Sequence, residues 1–283
     1  MTAPKPFDPT PFRRHFPVLE NLLFFNHAAV APLPQPAVDA MRGFLDDSSR
    51  WASIHEAPDW TRRHREVRAL FARLVGGEPH EVAYVKNTTE GLGFVAAGLD
   101  WRAGDNVVWL EGKYPSNVYP WWHLGRLGVE ARMVPQRPGA RFDVDDIVSA
   151  IGHRTRLVAV SSVEFSTGFR NDLDAIGAAC RERGVLFCVD AIQSLGALRL
   201  DVRETPVDFL SADGHKWLLS PEGIGAFWAS DRVIDQLTPA YIGWMSVLNA
   251  GNFDVLDATL KPHAGKFEGG TLNTIGIYGF GAA

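Results

Sequence analysis

The sequence alternates short apolar runs with helical segments, and this alternation limits the possible folds more than any other feature. Residues 185–189 form an uninterrupted apolar run, which fits a strand buried on both faces. Strands that alternate with helices predict an α/β fold, in which a mostly parallel sheet is sandwiched by helices. The predicted strands are residues 22–25, 81–86, 106–110, 129–134, 156–161, 185–189, 207–210 and 224–228, and the predicted helices are residues 35–51, 58–75, 144–151, 172–183 and 274–283, with one more starting near residue 88.

Composition excludes several classes of partner. The net charge of −5 gives no reason to expect nucleic acid or an anionic membrane as a partner. No apolar run is long enough to span a membrane, and the N-terminus lacks the apolar core of a signal peptide, so a cytoplasmic location is expected. The two cysteines, Cys180 and Cys188, are predicted to be core thiols. The nine scattered histidines lack the close pairing of a zinc site, so no metal is expected.

A polar turn between two predicted strands carries the first candidate catalytic residue. Asp213, His215 and Lys216 follow the strand at 207–210, and in α/β proteins ligands bind at the carboxyl ends of strands. Burial lowers the pKa of an amine, and a neutral amine can attack a carbonyl group to form a Schiff base. The alternative is a lysine in a solvated loop, which is the usual environment of this residue.

A second candidate catalytic residue ends the strand at 185–189. Asp190 follows this strand directly, and Gln193 lies three residues further on. A buried carboxylate is costly unless a cation pairs with it. A protonated pyridine nitrogen is such a cation, and chemistry with pyridoxal 5'-phosphate (PLP) requires one.

The two motifs together, Asp-x-x-Gln and Asp-Gly-His-Lys, resemble those of fold-type I PLP enzymes of class V. This group includes class-V aminotransferases, cysteine desulfurases and kynureninases. The resemblance implies that Lys216 bonds covalently to PLP and moves the α-proton of the substrate, and that Asp190 keeps the pyridine nitrogen protonated. It also implies that Gln193 donates to the phenolic oxygen of PLP and that His215 lies close to the ring or the phosphate.

The resemblance further implies a domain organisation. Residues 1–25 are an N-terminal arm, and its first 17 residues, which hold five prolines, are predicted to be extended. Residues 26–245 are the large PLP-binding domain. Residues 246–283 are an irregular segment and the start of a smaller C-terminal domain that is largely absent. In the family that domain carries the arginine for the substrate carboxylate and, in desulfurases, the catalytic cysteine.

A helix start supplies the candidate phosphate site. Asn87 and Glu90 form a capping-box pattern, which predicts that the helix begins near Thr88. The free N–H groups of Thr88 and Thr89 then bind one phosphate. Thr-Thr-Glu-Gly also matches the phosphate-binding turn of the family.

An alternative interpretation of the same segment is a dinucleotide site. Gly91-x-Gly93-x-x-Ala96 fits the dinucleotide fingerprint, with Glu111 20 residues after Gly91, and favours an NAD(P)-dependent oxidoreductase. The fingerprint glycines must form the turn itself, however, and the capping pattern places Gly91 inside the helix.

Two segments depart from the family pattern. Asp213 stands where desulfurases have a phosphate-binding serine, and a carboxylate beside a phosphate repels it. We therefore predict that Asp213 is a partner of His215, while Ser211 is the alternative source of a hydroxyl. Residues 162–168 lack the asparagine that desulfurases place beside the cofactor, and Glu164 and Ser166 are candidates for its contact.

The remaining site residues follow from the resemblance alone. Tyr114 matches the aromatic residue that stacks on the pyridine ring, although a core position is the alternative. Asn26 and His27 lie in a turn that lines the substrate side, although His27 also fits a structural role. Thr271 matches a threonine that reaches the phosphate of the neighbouring subunit, which implies a homodimer with shared sites.

The leading interpretation is a PLP-dependent enzyme that acts on an amino acid, with a class-V aminotransferase first. A cysteine desulfurase, or another lyase or epimerase of the same family, is the first alternative. An NAD(P)-dependent oxidoreductase is the second alternative, and a PLP-binding protein without catalytic activity is the third.

Overall fold

A computed structural model describes residues 7–52 and 57–283. It contains a seven-stranded sheet in the order β1-β7-β6-β5-β4-β2-β3. Strands β3, β2, β4, β5 and β6 run parallel, and β7 and β1 run antiparallel to their neighbours. The strands are β1 (Val82–Val85), β2 (Asn106–Leu110), β3 (Glu130–Val134), β4 (Thr155–Ser161), β5 (Leu186–Asp190), β6 (Phe209–Asp213) and β7 (Gly225–Ala229). The predicted mostly parallel α/β sheet is confirmed.

Helices connect the strands and cover both faces of the sheet. The α-helices are α1 (Thr10–Arg13), α2 (Gln35–Trp51), α3 (Ala57–Val75), α4 (Thr88–Gly98), α5 (Tyr119–His123), α6 (Val144–Ala150), α7 (Leu173–Glu182) and α8 (Thr274–Ala282). Short 3₁₀ helices span Pro17–Glu20, Pro79–Glu81, Pro115–Asn117, Leu124–Leu127, Ile234–Gln236 and Ala264–Phe267. Among the described helices, none combines the length and the apolar character needed to cross a membrane. The expected cytoplasmic location stays a prediction.

The central strands are buried on both faces, as the uninterrupted apolar run predicts. Leu186 and Cys188 of β5 pack into one core cluster, together with residues of α4. Phe187 and Val189 point the other way, into a second cluster with residues of α3, α6 and α7. Because successive side chains of a strand alternate between faces, β5 is apolar throughout until it reaches Asp190.

Both cysteines are core thiols, as predicted. Cys180 and Cys188 are each about 1% exposed. Burial raises the pKa of Cys180 to about 12 and raises the pKa of Cys188 well above its ordinary value. Since the thiolate is the reactive form of cysteine, neither side chain is suited to attack a substrate.

Two predictions for the N-terminal region are wrong. Residues 22–25 form no strand, because they pair with no other strand and Leu23 and Phe25 are exposed. The arm is not fully extended, because α1 and the 3₁₀ helix Pro17–Glu20 interrupt it. Each of these helices has a proline in its first turn, where the missing N–H group costs nothing. Residues 1–6 of the arm lie outside the described residues, and the domain boundaries stay a prediction.

Candidate active site

A cavity of about 620 Å³ opens at the carboxyl ends of β4, β5 and β6. Parallel strands bring these ends to one edge of the sheet, and this edge is where α/β folds bind ligands. Eight of the residues predicted from the sequence line the cavity: Thr88, Thr89, Tyr114, Asp190, Gln193, Asp213, His215 and Lys216. Residues from the turn at 28–30 close the opposite wall.

Lys216 presents a buried amine to this cavity. Its side chain follows β6, the residue is 7% exposed, and its Nζ lies 5.4 Å from the centroid of the Tyr114 ring. Burial lowers the pKa of this amine, although the carboxylates of Asp190 and Asp213 oppose the shift. Within the described part of the chain, the amine makes no hydrogen bond or ion pair. The solvated-loop alternative is therefore excluded, and the amine is suited to act as a nucleophile.

Asp190 is the last residue of β5 and is 4% exposed. Burial raises its pKa to about 6, although the Ile192 N–H group and the charges of Lys113 and Lys216 oppose the shift. Its Oδ1 accepts a hydrogen bond of 3.1 Å from the backbone of Ile192. A cationic ligand group that enters the cavity would stabilise the ionised form of this carboxylate.

The helix start at Thr88 lies where the capping pattern predicts. The Asn87 side chain accepts a hydrogen bond from the Glu90 N–H group. The reciprocal half of the capping box is not formed, because the Glu90 carboxylate accepts from the Lys86 N–H group instead. The N–H groups of Thr88 and Thr89 belong to the first turn of α4 and have no partner within the helix. They leave a site for one phosphate group.

The fingerprint glycines lie inside α4, so they do not form a dinucleotide-binding turn. Gly91 has a packing reason instead: a Cβ atom there would lie 2.3 Å from the Oγ of Ser211. Glycine thus lets α4 pack closely on β6. The structure does not support the dinucleotide interpretation of this segment.

Asp213 and His215 contact each other, as predicted. The Nδ1 of His215 lies 3.1 Å from the Oδ2 of Asp213, within the distance of an ion pair. The angles of a hydrogen bond are not met, so this buried nitrogen has no hydrogen-bond partner among the described residues. Asp213 also accepts a hydrogen bond of 2.8 Å from the Gly214 N–H group. Nδ1 therefore faces the Asp213 carboxylate, while the residue as a whole lines the cavity.

Ser211 does not line the cavity, which corrects its expected contact with the cofactor. Its hydroxyl is fully buried under α4 and donates a hydrogen bond of 3.1 Å to the carbonyl oxygen of Thr88. The hydroxyl of Thr88 itself accepts from the Asp213 N–H group at 3.1 Å. The hydroxyl of Thr89 donates to Ser116 at 2.8 Å.

The turn predicted to line the substrate side contributes Ala28, Ala29 and Val30 to the cavity, rather than Asn26 and His27. The His27 ring stacks on Trp217 with 4.8 Å between centroids, which supports the structural role. Two hydrogen bonds attach this turn to the site. The Gln193 amide donates to the Ala28 carbonyl at 3.1 Å, and the Ala31 N–H group donates to the His215 carbonyl at 2.8 Å.

A buried ion pair beneath the cavity was not predicted. Lys113 and Glu164 contact each other, with side chains that are 0% and 1% exposed. Asn171 donates to the same Glu164 oxygen at 2.6 Å, while the other oxygen has no hydrogen-bond partner among the described residues. The neighbours Tyr114, Val163 and Phe165 line the cavity. Glu164, a candidate for the cofactor contact, therefore lies in the layer below; Ser166, the other candidate, also does not line the cavity.

Comparisons with known proteins agree with this site. The family model described as aminotransferase class-V matches residues 23–283. A probable cysteine desulfurase of Methanothermobacter thermautotrophicus is 33% identical over 277 residues, which cover 96% of this chain and 68% of the relative. A cysteine desulfurase of Cronobacter sakazakii is 30% identical over an alignment of 287 positions, which covers 96% of this chain and 70% of that protein.

Solved structures give the same result. The apo cysteine desulfurase of Thermococcus onnurineus superimposes with a TM-score of 0.87 at 27% identity, covering 98% of this chain and 70% of that one. A C-DES mutant with glycine covalently linked to PLP has a TM-score of 0.88 at 26% identity, covering 95% of this chain and 72% of that one. The fold and site define a fold-type I, PLP-dependent enzyme. The chain belongs to the class-V aminotransferase family.

The residues of the cavity fit PLP, the cofactor of this family. PLP carries an aldehyde, a basic ring nitrogen and a phosphate. The chain offers a buried amine without an ion-pair partner at Lys216, a carboxylate of raised pKa at Asp190 and unused N–H groups at the start of α4. Each group of the cofactor thus has a chemically matched partner.

Proposed function

We propose that this chain transforms an amino acid, with PLP held covalently by Lys216. The observation that carries the proposal is the buried amine of Lys216, which has a lowered pKa and shares one cavity with Asp190 and the start of α4. A neutral amine is the form that bonds to an aldehyde. A lysine serving only the structure of a loop would not need this burial.

The other cavity residues orient the cofactor. Asp190 would hold the proton on the pyridine nitrogen, and Thr88 and Thr89 would bind the phosphate through their N–H groups. Tyr114 would stack on the ring, and Gln193 and His215 would donate to its oxygens. When bound, PLP supplies an electron sink for the carbanion formed from the substrate.

Lys216 would also act as the base. As a free amine, its Nζ has a lowered pKa inside a buried cavity. Such an amine can take the α-proton of the substrate and return it at another atom. The carboxylates of Asp190 and Asp213 stabilise the resulting ammonium ion.

The reaction that follows proton removal is proposed in two forms. Transamination is the first, as the motifs suggest. Cleavage of the C–S bond of cysteine is the second, because several relatives bear the name cysteine desulfurase. Cys180 and Cys188 are buried thiols with raised pKa values. Neither of them can therefore serve as the thiolate that accepts sulfur.

A panel of amino acids tests the proposed function. We expect a yellow PLP-bound protein that converts at least one amino acid. Formation of a keto acid with conversion of the cofactor to its amine form indicates transamination, whereas sulfide or persulfide released from cysteine indicates C–S cleavage. A colourless protein after incubation with PLP, or a coloured protein inert towards the whole panel, would contradict the proposal. A colourless protein that binds NAD(P) would restore the oxidoreductase alternative.

We also propose that the working unit is a homodimer with shared sites. Thr271 is exposed and does not line the cavity of its own chain, which leaves it available to a partner. Tyr241 and Trp244 are about half exposed and would add apolar area to the interface.

Mixing two inactive variants tests the shared sites. In a mixed dimer of Lys216→Ala and Thr271→Arg, one site carries both changes and the other carries neither, so activity should return in part. Each variant dimer alone is the control and should stay inactive. Mixed dimers that form but stay inactive, or a monomer that retains activity, would refute the proposal.

A further inference from the structure

A second polar cavity lies at the opposite end of the sheet. It has a volume of about 590 Å³ and shares no residue with the PLP cavity. Thr155 and Arg156 at the start of β4, and Val185 and Leu186 at the start of β5, form its base. It therefore opens at the amino ends of the strands whose carboxyl ends build the catalytic site.

The lining of this second cavity, the arginine cavity, is strongly basic. Four arginines line it, Arg156, Arg181, Arg183 and Arg232, together with His153 and Gln236. No aspartate or glutamate is among its lining residues, which all lie in the described part of the chain. Such a concentration of positive charge is unexpected in a chain with a net charge of −5.

Two of the four arginines already have partners. Arg232 pairs with the buried carboxylate of Asp208. Arg183 donates a hydrogen bond of 3.1 Å to the Ala179 carbonyl near the end of α7, and lies 3.8 Å from the exposed Glu182. These contacts explain Arg183 and Arg232 as structural residues.

Arg156 and Arg181 make no such direct contact, although Arg181 lies in the last turn of α7 and its charge acts on the carboxylate of Asp208. Neither guanidinium group makes an ion pair or a hydrogen bond with any described residue, although Arg156 is only partly exposed. A guanidinium group has five N–H donors and stays charged at every accessible pH. The Arg156 nitrogens are not among the fully buried atoms without a partner and Arg181 is exposed, so both guanidinium groups are open to solvent and can bind an anion.

Helix ends do not account for the whole charge. Helices α6 and α7 end beside the cavity, at Ala150 and Glu182, and each carboxyl-terminal end carries about half a negative charge. Together they offset about one arginine, and Asp208 offsets about one more. The exposed Glu182 beside Arg183 offsets part of a third arginine, so a surplus of about one to two positive charges remains at the mouth of the cavity.

We propose that the arginine cavity binds the phosphate group of a small soluble molecule, at a site separate from the cofactor. A phosphate carries about 1.5 to 2 negative charges near neutral pH, which is comparable with this surplus. The planar fork of a guanidinium group binds two phosphate oxygens at once, and Arg156 and Arg181 have all their donors available for this. The volume accommodates more than the phosphate alone, so a phosphorylated metabolite fits better than the free ion.

Calorimetry on the PLP-saturated protein tests the proposal. PLP occupies the start of α4, so added inorganic phosphate or pyrophosphate reports on the second site. We expect saturable binding of both, with pyrophosphate tighter, and no binding of acetate. The double variant Arg156→Gln/Arg181→Gln should bind at least tenfold more weakly. The matched control is Arg199→Gln/Arg203→Gln, which removes two exposed arginines paired with Asp201 and Glu204 elsewhere on the surface and should bind as the wild type.

Either of two results would overturn the proposal: no saturable binding of either probe, or equal affinity in the Arg156→Gln/Arg181→Gln variant. The single variant Arg181→Gln changes an exposed side chain, so it keeps the test valid if the double variant does not fold. The PLP absorbance of each variant shows that the catalytic site is unchanged.

Discussion

Asp190→Asn should retain PLP but lose at least about 3 kcal/mol of transition-state stabilisation, which is a loss of roughly a hundredfold or more in kcat/KM. The carboxylate lies fully inside the site with a pKa raised to about 6 by burial, and a cation on the cofactor ring is the charge it is suited to hold. Asparagine keeps the shape of the side chain but has no charge with which to hold a proton on the pyridine nitrogen. Steady-state kinetics with the PLP content measured by absorbance checks the effect.

The same substitution should have the opposite effect on the stability of the cofactor-free protein. A carboxyl group whose pKa rises from 3.8 to about 6 on folding destabilises the folded state wherever the group is ionised. The folded state binds the extra proton between these two values, so stability falls as pH rises through this window. Above about pH 6, Asp190→Asn should therefore stabilise the cofactor-free protein by on the order of 2–3 kcal/mol.

These two effects distinguish a catalytic carboxylate from a structural one. If Asp190 were only structural, the Asp190→Asn protein would be less stable than the wild type and would keep near-normal turnover in the PLP-bound form. Denaturant unfolding of the cofactor-free wild type and variant at pH 5 and pH 8 measures the change in stability. Either structural result would contradict the role assigned to Asp190.

The second large effect concerns stability. Lys113→Met should lower the free energy of unfolding by about 3–5 kcal/mol, because it leaves the buried carboxylate of Glu164 without its cation. One oxygen of Glu164 lacks a hydrogen-bond partner among the described residues, and the other would keep only the neutral Asn171 amide, so no second cation replaces Lys113.

Two matched variants complete this prediction. Lys113→Met/Glu164→Met removes both charges and should recover most of the lost stability, since a buried pair contributes little net free energy. Lys86→Met breaks an ion pair with Glu90 in which the lysine is 72% exposed, and should cost less than about 1 kcal/mol. Urea unfolding measures all three. A Lys113→Met protein as stable as the wild type would contradict the prediction.

Local sequence patterns predicted the elements that build the site. The apolar run before Asp190 identified β5, because a strand buried on both faces has few polar residues until it reaches the edge of the sheet. The capping pattern at Asn87 located the start of α4 and disfavoured the dinucleotide interpretation. These features depend on neighbouring residues only, so a sequence can show them.

Features that depend on distant residues were not predicted. Lys113 and Glu164 are 51 residues apart, and nothing near either residue indicates that they meet. The burial of the Ser211 hydroxyl under α4 also could not be predicted, because it depends on how closely α4 packs on β6 at Gly91. The predicted strand at 22–25 had the right composition, but a strand requires a partner, and the sequence does not show one.

Borohydride reduction of the PLP-loaded protein, followed by peptide mapping, tests the central claim most directly. The label should lie on Lys216. Lys113 and Lys266 are the matched internal controls, because both are buried with lowered pKa values but neither lines the cavity. Label on Lys216, absent in Lys216→Ala, is the predicted result; label on Lys113 or Lys266, or no label at all, would contradict the account.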